Sequence, residues 1–288
     1  MDPRELALAE HYVEIGQPSR ALELLDRADG EALESLEFWR LRALAHHYLE
    51  QWEATMTVAL QGLARDPHNV ALLYLAADAE AEMDHLAEAE RTILAALAED
   101  PEHPGLLCAY ARIVARGGQL DKAERLVDEA SRINPEDTEV LRTRTLLALL
   151  RGHDREATRH SEELLKVNPD DMGGHRLRGA ALLQRGQVHE GRRSLETAVR
   201  DDPRDLELAH TVRSARIATH PLMWPILPIQ RLGPAGSWIL AIAIIFGLRG
   251  LGYGTAAGIA SAVWLFIVIY SWVAVAVIQR RLERRQGP

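Results

Sequence analysis

The chain has 288 residues, 47% of them hydrophobic and 26% charged, which supplies a sizeable core and excludes wholesale disorder. Charge is unevenly placed: residues 1–220 hold 41 of the 42 acidic residues against 27 of the 33 basic ones, whereas residues 221–288 hold Glu283 and six arginines. The acidic first part is a poor match for nucleic acid, which needs concentrated Lys and Arg, and the single cysteine, Cys108, excludes an internal disulfide or a Cys-based zinc site.

Starting from the N-terminus, Met1-Asp2-Pro3-Arg4-Glu5 lacks the charged-then-apolar pattern of a secretion signal, so export is not expected. A repeat follows. Asp66-Pro67, Asp100-Pro101, Asn134-Pro135, Asn168-Pro169 and Asp202-Pro203 are spaced by 34 residues. Twelve residues before each proline stands Thr55, Ala89, Ala123, Ala157 or Gly191, and seven residues after that stands Gly62, Ala96, Ala130, Leu164 or Ala198. Five residues before the same positions, Gly118, Gly152 and Gly186 recur, with Asp84 in their place in the third copy and Gly16 in the first. Apolar residues at three-to-four spacing predict two amphipathic helices per copy. The glycines end the first helix and the Asp-Pro or Asn-Pro pairs end the second. The second copy is the least regular, and its Trp52-Glu53-Ala54 suggests a turn shifted by one residue.

This register resembles the tetratricopeptide repeat family, in six copies: 2–35, 36–69, 70–103, 104–137, 138–171 and 172–205. The resemblance implies an all-α solenoid, because no copy can bury its apolar face alone and neighbours must stack. Residues 204–219 are helical in pattern, as a capping helix or a plain linker helix, so the solenoid with its cap is expected to occupy 1–219.

Residues 220–234 are rich in proline and contain Trp224, which reads as an interfacial linker at a lipid surface or as a stiff spacer. Between Leu232 and Ile278 the only charge is Arg249. A run of that length holds two stretches of about 20 apolar residues, so 235–279 is expected to form a transmembrane hairpin, against the alternative of one long tilted helix with a re-entrant piece. Trp238, Tyr253 and Trp272 are candidate interface anchors, Arg249 marks the turn, and Arg280 and Arg281 open a basic tail at 280–288. Trp264 is expected to face the partner helix. Gly250, Gly254, Gly258 and Ala262 recur every four residues, a spacing that suits packing within the hairpin or between protomers. Arginine placement predicts both termini and the repeats on the cytoplasmic side of a cytoplasmic membrane, and the Ala/Arg-rich composition and layout suggest a bacterial chain.

No pattern for chemistry is found: the twelve histidines scatter, no phosphate loop is present, and neither a metal nor a cofactor nor a catalytic residue is assigned. Function is expected in the groove. In the resembling family the fifth and ninth residues of each first helix commonly face the concave surface. By position these include Arg40, Tyr74, Asp78, Arg112, Arg142 and Arg176. Arg142 and Arg176 repeat in adjacent copies with Arg112 beside them, an arginine ladder suited to an acidic peptide or a carboxylate. The rival reading is that Arg40/Arg42, Arg142/Arg144 and Arg176/Arg178 pair with neighbouring acids. The expected function is that of a non-enzymatic, membrane-anchored adaptor that holds a protein partner at the bilayer. The alternatives are an assembly or quality-control factor, or an accessory subunit of a transport or secretion complex, acting through the hairpin.

Overall fold

The computed structural model describes residues 3–27, 30, 35–201, 206–220 and 233–285; within these, the side chains of 3, 201, 206–207, 233–235 and 271–285 are not described. Fifteen helices and no strand are found among the described residues. They divide into two compact units, Met1–Leu177 and Arg178–Pro288. The division falls within the sixth copy, inside the 1–219 stretch read from the sequence.

In the first unit the helices come in pairs: α1 (Pro3–Glu14) and α2 (Pro18–Leu25), α3 (Leu36–Tyr48) and α4 (Trp52–Leu63), α5 (Val70–Glu82) and α6 (Leu86–Glu99), α7 (Pro104–Arg116) and α8 (Leu120–Ile133), α9 (Thr138–Leu150) and α10 (Asp154–Val167). The sixth pair is α11 (Met172–Gln184), which begins in the first unit and ends in the second, and α12 (Val188–Asp201).

Each first helix stops in the same way. Gly16, Glu50, Asp84, Gly118, Gly152 and Gly186, all 34 residues apart, have φ between 56° and 79°. The following amide closes back on the carbonyl five residues earlier, as in Gln51 N to His46 O (3.0 Å) and Gln119 N to Val114 O (2.9 Å). That closure satisfies carbonyls the helix end leaves open. The second copy is therefore in register, not shifted: Glu50 adopts the left-handed turn that glycine supplies elsewhere. Each first helix also starts alike. Asn69, His103, Asp137 and Asp171 stand 34 residues apart, and their side chains accept backbone N–H groups of the first turns of α5, α7, α9 and α11.

The small residues make the close contacts. Ala21, Thr55, Ala89, Ala123 and Ala157 are wholly buried. At Gly62 an added Cβ would lie 2.5 Å from Leu72 Cδ1 and 2.9 Å from Trp39 Cβ. Two apolar clusters result, one from α1 to α5 around Phe38 and Leu72, the other from α5 to α9 around Ile93, Leu107 and Val127.

In the second unit, Leu195 and Ala198 of α12 pack with Leu208 and Val212 of α13 (Leu206–Ala218). Of the stretch 204–219, read as a capping or linker helix, the described part from Leu206 is helical and packs on α12 through Leu208 and Val212. Of the linker expected at 220–234, residues 221–232 with Trp224 lie outside the described residues, and 233–234 open the next helix. That helix, α14 (Gly233–Gly250), and α15 (Gly254–Arg285) pack as a helical hairpin turned at Gly252 (φ 83°). The rings of Trp238 and Trp264 meet edge to face at 5.8 Å across it, so Trp264 does face the partner helix. A Cβ at Gly250, Gly254 or Gly258 meets nothing within 4 Å, so the small-residue stripe takes no part in packing inside the hairpin.

The membrane assignment is corrected here. Among the described residues no helix is long and apolar enough to cross a membrane. The unbroken apolar stretch of α14 runs only over 238–248, about half of the ~20 residues a span requires. The two transmembrane helices, the lipid bilayer as partner and integral placement in the cytoplasmic membrane are withdrawn on that finding. Trp238, Arg249 and Tyr253 are exposed residues of a helical hairpin and its turn. Trp272, Arg280 and Arg281 lie on α15, which continues to Arg285 where a separate basic tail was expected.

Candidate functional site

The site is built from the first helices of the first unit. Their fifth residues are Arg40, Tyr74, Cys108, Arg142 and Arg176, and the ninth residues of α3, α5, α7 and α9 are Leu44, Asp78, Arg112 and Leu146. The repeat brings most of the charged members into one row. His47 Nε2 lies 2.7 Å from Asp78 Oδ2, and Arg112 Nη2 lies 3.6 Å from Asp78 Oδ1. Arg112 also pairs with Glu139, whose other oxygen takes Arg142, and Arg142 Nη2 reaches Asp171 Oδ2 at 2.5 Å. Charge thus alternates along α5, α7, α9 and the cap of α11. At the other end Arg40 pairs with Glu37 at 2.5 Å and Glu10 at 3.0 Å.

These pairs set the electrostatics. Burial by itself would raise the Asp78 carboxyl, but the hydrogen bond from His47 and the charge of Arg112 outweigh it and hold it below the usual carboxylate range. With Asp78 ionised, His47 Nε2 carries the proton and donates it. Burial would lower Arg112, yet Glu139, Tyr74 and Asp78 together raise it, so it stays charged. Arg142 is raised in the same way: Asp171 and Glu139 offset its desolvation. Burial pushes the Tyr74 phenol up, and its hydroxyl accepts from Arg112. Cys108 is fully buried and its thiol is pushed up to about 11 by burial, which makes it an inert packing residue.

Beside the row lies a hollow of about 490 Å³. Leu44, Val70, Tyr74, Leu75 and Leu106 give it an apolar lining, and Arg40, His103 and Glu139 stand around it. Its origin is in the second residue of each first helix. That residue is Glu37 in the second copy, Ala71 in the third, Gly105 in the fourth and Glu139 in the fifth. The two inner copies have a short side chain or none where the two outer ones have a glutamate, and at Gly105 the His103 ring stands where a Cβ would go, 3.0 Å away.

Of the residues singled out from the sequence, Arg40 and Tyr74 therefore reach the hollow, and Asp78, Arg112 and Arg142 form the charged row. Arg176 is exposed on α11. The ladder of arginines open to an acidic ligand is not what the structure shows, because Arg40, Arg112 and Arg142 are held by carboxylates. The second arginines behave likewise, with Arg42 on Asp26 at 2.8 Å and Arg144 on Asp128 at 3.1 Å. Sequence reasoning missed Glu37, Glu139, His47 and Asp171. The first two were legible, since each stands three residues before its arginine on one helix face. Asp171 was visible only as the repeat of the cap Asp137.

The backbone arrangement, two helices and a left-handed stop every 34 residues, has known counterparts. Residues 93–150 match the tetratricopeptide repeat family. The fold is that of tetratricopeptide repeat proteins. A thermophilic TPR protein of Thermus thermophilus is 19% identical, with a TM-score of 0.58 over 63% of this chain and 98% of that one. A tetratricopeptide repeat protein from Parabacteroides merdae is 16% identical, with a TM-score of 0.53 over 79% and 90%. PilW, a type IV pilus biogenesis factor, is 16% identical, with a TM-score of 0.55 over 72% and 96%. No curated protein sequence matches the chain.

Proposed function

We propose that this TPR chain is an adaptor that binds a segment of a protein partner along the first helices of residues 1–177, and that it acts by binding and not by catalysis. One observation carries the reading: a preformed apolar hollow of about 490 Å³ opens on the face shared by α3, α5 and α7, in a wall otherwise closed by paired charges. A hollow of that size suits side chains of a bound segment, and the fixed row beside it offers a rigid edge. The test is site-specific photo-crosslinking from Ala71 and from an exposed second-helix position such as Glu129. Partner capture from position 71 alone supports the groove. Equal capture from both sites, or capture only from position 129, refutes it.

A second reading is favoured by a different observation. Ile239, Phe246, Ile259 and Phe266 of the hairpin are each more than half exposed. Exposed large apolar side chains, where they gather into a patch, mark interaction surfaces. An assembly factor that grips an apolar partner helix through α14 and α15 would use these side chains. Replacing α14–α15 with an unrelated helical hairpin abolishes function under this reading and spares it under the first.

A further inference from the structure

We infer that the groove selects a segment carrying a bulky apolar side chain flanked by basic residues, with the apolar group seated in the hollow between α3, α5 and α7. The inference rests on the groove reading above and names its ligand. The hollow supplies the first half. Leu44, Tyr74, Leu75 and Leu106 line it, and the short, exposed Ala71 side chain leaves it open to a group from outside. Burying an aromatic or large aliphatic side chain there removes apolar surface from water on both partners.

The charge of the surrounding row supplies the second half. Among the described pairs of this row, Glu10, Glu37, Asp78, Glu139 and Asp171 are met by Arg40, Arg112 and Arg142, five carboxylates to three guanidinia. The row is thus acidic by two charges when His47 is neutral. Glu139 shares its two oxygens between two arginines, and Arg40 shares its guanidinium between two acids. An acidic ligand would have to take an arginine from a carboxylate that already holds it, and would leave that carboxylate unpaired. A basic flank meets the excess negative charge without breaking a pair.

The experiment uses the full chain and fluorescein-labelled ten-residue peptides, read by fluorescence anisotropy. The central residue is Ala, Leu or Phe, and the flanks are Lys-Lys or Glu-Glu. The Phe-centred, Lys-flanked peptide is expected to bind about tenfold tighter than its Ala-centred or Glu-flanked counterparts, and to weaken with added salt. Ala71→Trp fills the hollow from an exposed position and is expected to remove that preference for Phe, with an unchanged circular dichroism melt as its fold control. Arg176→Gln, at an exposed position, is expected to leave the preference intact. If Glu-flanked peptides bind tighter, lose binding in Arg176→Gln and ignore Ala71→Trp, the inference is overturned and the groove reading stands. If binding is absent, or indifferent to both substitutions, the groove reading falls with it.

Discussion

Asp171 and Arg142 tie two consecutive copies through one carboxylate. Asp171 Oδ1 accepts the Gly174 amide at 2.5 Å and caps α11, while Oδ2 receives Arg142 Nη2 from α9 at 2.5 Å. The carboxylate is 4% exposed, whereas the arginine side chain is 37% exposed and keeps Glu139 as a second partner. Removing the two ends is therefore not equivalent. Asp171→Ala loses a cap and half-strands a cation, and is expected to cost about 2–3 kcal/mol. Arg142→Ala leaves the cap in place and is expected to cost about 1–2 kcal/mol, discounted for its exposure. Urea unfolding of both variants checks the order, and a larger loss for Arg142→Ala contradicts it.

The left-handed stops give a prediction of the opposite sign. Glu50 (φ 56°) and Asp84 (φ 64°) occupy positions where Gly16, Gly118, Gly152 and Gly186 have the same turn. A side chain in that region crowds its own carbonyl, and nothing in the repeat requires one there. Glu50→Gly and Asp84→Gly are each expected to stabilise by about 0.5–1 kcal/mol, and Gly118→Ala to destabilise by about 1 kcal/mol. Thermal melts of the three variants decide it; a fall in melting temperature for Glu50→Gly refutes the argument.

These two features also show what the sequence revealed. The register was legible because prolines and glycines punctuate it at fixed intervals, and each end of a first helix follows from it. Trp52-Glu53-Ala54 misled because the turn was judged by residue type, although Glu50 stands 34 residues before Asp84 and takes the same φ. Repeat position places Arg40, Tyr74, Asp78, Arg112 and Arg142 on the first helices, and the structure links Asp78, Arg112 and Arg142 into one row with Arg40 and Tyr74 at the hollow beside it. Their chemistry was not legible, because Asp78 and Arg112 meet only when α5 and α7 stack, and the hollow beside them depends on the short side chain at Ala71. Uncharged composition from 235 to 279 predicts two membrane spans, whereas the structure has two helices neither of which is long and apolar enough to cross, the unbroken apolar stretch of α14 being only 238–248.

Leu164 departs from the small-residue rule, and Gly174 compensates. The other copies have Gly62, Ala96, Ala130 or Ala198 at this position. The larger side chain fits because an added Cβ at Gly174 would lie 2.8 Å from Leu164 Cδ2. Gly174→Ala is expected to destabilise by about 1–3 kcal/mol through overpacking, and Leu164→Ala by about 2–4 kcal/mol through the cavity it leaves. In the double variant the new methyl occupies part of that cavity. Its cost is expected to fall below the summed single costs by about 1 kcal/mol or more, and strict additivity sinks the idea.

The Asp78 carboxylate makes the charged row sensitive to acid. Its ordinary value is 3.8, and the native protein holds it lower, through His47 and Arg112 acting against burial. Between the two values the unfolded chain binds the proton and the folded chain does not, so folding stability rises with pH there. The contribution is fully present above pH 3.8 and is lost as pH falls through the lowered native value. Asp78→Asn removes the titrating group while keeping a hydrogen-bond partner for His47 and Arg112. Urea midpoints measured from pH 5 down to pH 2 are expected to fall more steeply in the parent chain than in Asp78→Asn, with the curves converging at the acid end. Parallel curves would mean that Asp78 is not held below its ordinary value, and that the row from His47 to Asp171 does not act as a coupled set of charges.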